Sequence, residues 1–231
     1  MHHAVPETLN PPLPQQQSFT EKQLDNTVYV VDYDMTQAEI VMLSNGGSYN
    51  RELVPSIALY NNYFGGNMSS IVFQDLRESK ALAYSTYSQY NIPNRLYKKS
   101  FNKSYIGSQA DKLAEAMKGM SDLLSTMPKA EGSFSAAKES LIQEVRTQRI
   151  TRAEILFNYI DAQYLNNTTD VRKDIFEKVQ RYTFEDVQKF YEQNIKGKPL
   201  TILILGKKEL LDQKVLEKYG TVKHLSLQEL F

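Results

Sequence analysis

A double change of hydrophobic period between Thr27 and Gly107 narrows the fold more than any other feature of this chain. Thr27 to Tyr33 is rich in Val and Tyr and reads as a strand. Ala38 to Leu43 is a second strand, and its Ile-Val-Met-Leu run predicts burial on both faces. Asn45-Gly46-Gly47 then breaks the pattern. From Arg51 the spacing turns helical, with Leu53, Val54, Ile57, Ala58, Asn61 and Phe64 on one stripe. Gly65-Gly66 ends this helix, where glycine is expected for a left-handed backbone. Ser69 or Ser70 caps a second helix, which runs through Ile71, Val72, Phe73 and Leu76 into the charged stretch Arg77 to Lys80. The period returns to two in Tyr84 to Tyr90, with Tyr84, Thr86, Ser88 and Tyr90 on one face. Lys99 to Gly107 alternates as well and is its expected antiparallel neighbour.

The rest of the chain is mostly helical. Ser108-x-x-Asp111 has the spacing of a capping box before a helix that buries Leu113, Ala114, Met117, Met120, Leu123, Leu124 and Met127, with Pro128 at its end. Helical patterns recur over Ala136 to Arg149, Ala153 to Leu165 and Val171 to Gln180. Thr183-x-x-Asp186 opens one more, with Phe184, Val187, Phe190 and Tyr191 inward. Leu200 to Leu205 is a buried strand closed by Gly206. At the other end, four of the eight prolines (Pro6, Pro11, Pro12, Pro14) precede Gln15, Gln16 and Gln17. Such composition favours solvated, extended backbone, so residues 1–25 read as a linker and residues 26–231 as one domain. The predicted class is α+β: an antiparallel sheet with helices packed on one face.

Composition excludes several functions. Lys plus Arg equals Asp plus Glu, 27 against 27, so no excess basic charge supports a nucleic-acid role. With no cysteine, disulfides, thiol catalysis and thiolate metal sites are all ruled out, while the compartment stays open between cytoplasm and periplasm. Of three histidines, His2 and His3 lie in the leader and His224 stands alone, and no H-x-x-E-H string occurs in either direction. A protein zinc site needs three or four placed ligands, so none is expected in this chain. Apolar runs such as Ile202 to Leu205 are too short to cross a bilayer, which predicts a soluble chain. The stretch Gly65 to Ser70 lacks the Gly-Lys-Ser/Thr ending of a phosphate loop and follows a helix rather than a strand.

One pairing carries chemistry. Tyr84 follows Arg77 by seven positions across the helix-to-strand turn Lys80-Ala81-Leu82. A guanidinium and a phenol brought together at such a turn can both donate hydrogen bonds to a peptide carbonyl. The alternative is that Arg77 pairs with Asp75 or Glu78 and that Tyr84 is core.

The run from Leu59 to Ser88, LYNNYFGGNMSSIVFQDLRESKALAYSTYS, resembles the signature of the pitrilysin/insulinase-type zinc metallopeptidases. The likeness is specific over about thirty residues, and the element order extends it by pattern to the remainder. Those peptidases are built from two similar halves facing each other like a clam shell, one bearing the inverted zinc motif and the other closing the chamber. Lacking that motif, this chain resembles the non-catalytic C-terminal half. The resemblance implies no catalytic residue, metal or cofactor here, with zinc expected in the partner half. It implies two partners, a catalytic half (in the same chain or a separate subunit) and a peptide substrate. It also implies that Arg77 and Tyr84 contact substrate backbone near the scissile bond. A peptidase-like assembly subunit without proteolytic role is the alternative. Asn67 departs from the pattern, standing where many relatives keep a third glycine.

Overall fold

The computed structural model describes residues 23–229; the predicted linker lies almost wholly outside them, as do His2 and His3. Among the described residues, six strands form one sheet: β1 (Thr27–Asp32), β2 (Gln37–Ser48), β3 (Ser85–Asn91), β4 (Lys99–Gln109), β5 (Thr201–Gly206) and β6 (Thr221–Leu225), in the order β3-β4-β2-β5-β1-β6. The helices are α1 (Val54–Phe64), α2 (Ile71–Phe73), α3 (Leu113–Ser125), α4 (Glu131–Thr147), α5 (Arg152–Tyr164), α6 (Val171–Val179), α7 (Phe184–Asn194) and α8 (Gln213–Leu216). A π-helical stretch, Gln74–Ser79, continues α2.

The α+β class stands, but the sheet is mixed rather than wholly antiparallel. β3, β4, β2 and β5 pair antiparallel, whereas β1 runs parallel to both β5 and β6. Parallel neighbours need a long connection, and the chain reaches β5 from β1 only after every element from β2 to α7. β6 has no apolar alternation in Thr-Val-Lys-His-Leu and so gives no sequence signal; its register is set by pairing with Thr27 to Val31.

Along β2, Ala38, Ile40 and Met42 are buried against the helices, while Glu39, Val41 and Leu43 on the other face are only half-covered. Burial on both faces is therefore not realised. That open face carries the stacked pair Tyr87 and Tyr105, their ring centres 5.2 Å apart, with Tyr105 donating to Glu39. Burial, and then this hydrogen bond, pushes the Tyr105 phenol up to about 12. The helical layer closes over an aromatic cluster. Tyr60 stacks on Phe64 at 5.1 Å and meets Phe190 at 5.2 Å, and Tyr63 meets Phe184 edge-on at 5.7 Å. Each such pair adds about 0.5–1.5 kcal/mol beyond the area it buries. The Tyr63 hydroxyl donates to Pro128 O at 2.6 Å and accepts from Ala130 N at 3.0 Å, fastening α1 to the α3–α4 turn.

Two caps test the local rules. Asp186 accepts from the Thr183 backbone N–H at 2.8 Å and its hydroxyl at 3.2 Å, as the spacing predicts. The Ser108-x-x-Asp111 cap does not form. Ser108 lies within β4, and its hydroxyl donates to Leu82 O at 2.6 Å instead.

Candidate functional site

The expected site residues meet at the turn that leads from the π-helical stretch into β3. Three features build this turn. Leu76, fully buried, anchors the π-helical stretch against α3, where Gly119 makes room: a Cβ there would sit 2.6 Å from a Leu76 methyl carbon. Ala81 takes a positive φ of 49°, unusual for a residue with a Cβ, and reverses the chain. The start of α3 and the end of β4 then hold the turn, Lys112 donating to Ala81 O at 3.0 Å beside the Ser108 bond to Leu82 O.

Gly65 fixes β3 from the other side. Its backbone carbonyl accepts from Ser88 N at 3.1 Å, and a Cβ on it would lie 2.5 Å from Ser88 O. Gly65 has a φ of −158°, and Gly66 is not among the positive-φ residues. The left-handed backbone expected at this pair is thus corrected: at Gly65 glycine is required by close approach of α1 to the β3 backbone. The Asn61 amide completes the clamp, accepting from Tyr90 N at 2.8 Å and donating to Tyr90 O at 3.0 Å.

Arg77 and Tyr84 line one open groove of about 440 Å³, together with Glu78, Ala81, Leu82, Ala83, Gln109 and Lys112. Arg77 lies over the Phe73 ring at 4.8 Å and approaches Glu78 at 3.7 Å, with its side chain 44% exposed. Asp75, the other carboxylate considered, bonds Lys80 at 2.6 Å. The loose, exposed contact with Glu78 is worth little and leaves the guanidinium donors accessible. Tyr84 lies just before β3 rather than inside it and is 52% exposed, so it is not a core residue. Its N–H donates to Gly107 O at 2.8 Å, and its hydroxyl accepts from Gln109 Nε2 at 2.7 Å. Because the phenol oxygen accepts there, its proton is left to donate into the groove. Gln109 and Lys112 are members that sequence reading missed, since only strand pairing brings residues 25 and 31 positions away to this turn.

Asn67 staples the turn between α1 and α2. Its side-chain nitrogen donates to Asn62 Oδ1 at 2.7 Å, and its Oδ1 accepts from Ser69 N at 2.9 Å. Among the described residues, no group of three or more His, Asp or Glu side chains is placed to hold a metal ion. His224 is exposed on β6, so these residues do not fit a zinc site. Also among the described residues, no helix is long and apolar enough to cross a membrane.

Comparison with known proteins agrees with this architecture. The chain is 31% identical over 115 residues to the uncharacterized zinc protease YmxG of Bacillus subtilis (strain 168), a match covering 48% of this chain and 26% of that protein. A peptidase M16 inactive domain from Pseudomonas fluorescens superposes with a TM-score of 0.68 at 15% identity, covering 85% of this chain and 48% of that one. A protease from Helicobacter pylori gives 0.67 at 13% identity, covering 86% and 48%. The chain thus spans about half the length of these solved proteins and about a quarter of the curated relative. Residues 4–147 match the family described as the peptidase M16 inactive domain, a span that takes in the Leu59 to Ser88 signature and the whole groove. On that match, the chain belongs to the peptidase M16 inactive-domain family.

Proposed function

We propose that this chain is the substrate-binding, non-catalytic half of a zinc metalloendopeptidase, closing a peptide chamber opposite a zinc-bearing half. The observation that carries the reading is the shared groove. Arg77 and Tyr84 line it together, and both keep donors accessible. An extended peptide offers a row of carbonyl oxygens, and two positioned donors can hold one of them and stabilise charge that develops on it. Gln109 orients Tyr84, and Lys112 holds the turn and adds a second cation to the groove. The facing half would supply zinc, the water nucleophile and the general base, and the residues described here take no part in those steps.

The test is turnover of a peptide by the two halves together. Arg77→Ala and Tyr84→Phe should fold normally and lower turnover by about ten- to a thousand-fold each, the scale of one lost transition-state donor. Their combined effect should fall short of the sum if both serve one carbonyl. Wild-type turnover in both variants would favour the assembly-subunit reading instead.

A further inference from the structure

We infer that Lys112 makes the Tyr84 groove a reader of a peptide carboxylate, taken up beside the carbonyl that Arg77 and Tyr84 hold. The inference deepens the proposed peptide-binding role and rests on it for the ligand being a peptide. Lys112 lines the groove with Arg77 and Tyr84 and is half-buried where α3 begins. Its ammonium has three donors, and one goes to Ala81 O at 3.0 Å. That bond fixes the end of a side chain whose four-carbon stem is otherwise free to swing. The carbonyl it grips is fixed in turn, because Ala81 holds the positive φ of 49° that reverses the chain. The two remaining donors are therefore positioned before any ligand arrives, which lowers the entropy cost of binding.

Charge says what those donors take. Among the described residues, Lys112 has no carboxylate within ion-pairing distance. Asp75 pairs with Lys80 at 2.6 Å, and Glu78 approaches Arg77 at 3.7 Å. Asp111 and Glu115, close to Lys112 in sequence, are exposed and form no ion pair with it. The groove thus holds two cations, Arg77 and Lys112, against one carboxylate, Glu78, which already faces Arg77. Helix stability does not explain the lysine, since a cation at a helix N-terminus opposes the helix dipole. Leu82 and Ala83, nearly buried, give the groove an apolar wall that concentrates the field of these charges. A peptide carries a carboxylate in two places, on an Asp or Glu side chain and at its own C-terminus. A basic side chain is repelled at the same point, so peptides that offer the same carbonyl are told apart.

The test gives the two halves together a set of amidated peptides that differ only by Glu or Gln at each position around the scissile bond. A Gln peptide with a free C-terminus completes the set. Affinity and turnover are both measured, so a protein that binds without cleaving still decides. The Glu peptide or the free acid should be favoured about tenfold at one position, the scale of a hydrogen bond to a charged group. Which of the two gains identifies the source of the carboxylate. Lys112→Met should abolish that ratio, and any loosening of the turn lowers both peptides alike without restoring it. Lys112→Arg should keep the ratio, and Lys112→Glu should shift the preference to a Lys-bearing peptide. Equal handling of all peptides by the wild type overturns the inference, as does a ratio unchanged in Lys112→Met and Lys112→Glu, or failure to bind any peptide. Loss of turnover in Arg77→Ala alongside a wild-type ratio of one leaves the carbonyl reading intact and removes this one. Normal turnover in Arg77→Ala and Tyr84→Phe with a ratio that depends on Lys112 does the reverse.

Discussion

Ala81 and Gly65 occupy opposite positions in backbone chemistry at the same site. Ala81 holds a φ of 49°, where a Cβ crowds the following carbonyl and costs roughly 1–2 kcal/mol. Gly65 has a negative φ of −158° but no room for a Cβ beside Ser88. One paired experiment follows. Ala81→Gly should raise stability by about 1 kcal/mol, some of the relief being offset by glycine's extra unfolded-state freedom. Gly65→Ala should lower it by about 2–3 kcal/mol, because it forces α1 away from β3. Urea midpoints shifting in opposite directions with an unchanged slope would confirm this; equal shifts would mean that the turn relaxes around either residue. The sequence marked Gly65 as special but not why, since a steric reason depends on a strand more than twenty positions away.

At the scale of elements, α1 and α6 are tied through Arg51, just ahead of α1. Its Nε donates to Asp174 at 2.7 Å, and its other nitrogens donate to Thr169 O at 2.9 Å and Thr169 Oγ1 at 2.7 Å. The hydrogen bond from Arg51, more than any other cause, holds the Asp174 carboxyl below its ordinary 3.8. Arg51→Ala should therefore cost about 1–2 kcal/mol near neutrality. A depressed carboxylate pKa contributes stability above the unfolded value and loses it as pH falls through the folded one. The gap between variant and wild type should then close on acidification below about 3.8, read by denaturant melts across pH; a gap independent of pH would assign the cost to packing alone. Helix existence was legible throughout this region, because periodicity and capping residues are local signals. The failed cap at Ser108 shows the limit: its hydroxyl had a competing acceptor, Leu82 O, that only the β3–β4 pairing brings near.

For the whole molecule, the ligand count sets a metal prediction. The chain after dialysis against a weak chelator should hold well under one zinc, measured by elemental analysis; one tightly bound zinc with His224 among its ligands would contradict the non-catalytic reading. The sequence by itself determined the α+β class, the order of the main elements, the absence of thiol chemistry and the placing of Arg77 and Tyr84 on either side of one turn. Each follows from near neighbours, whose spacing is written in the chain. Only the tertiary structure decided the mixed sheet, the entry of Gln109 and Lys112 into the groove and the close-packing role of Gly65. These depend on which distant segments meet, and hydrophobic period says which face of an element is buried without saying against what.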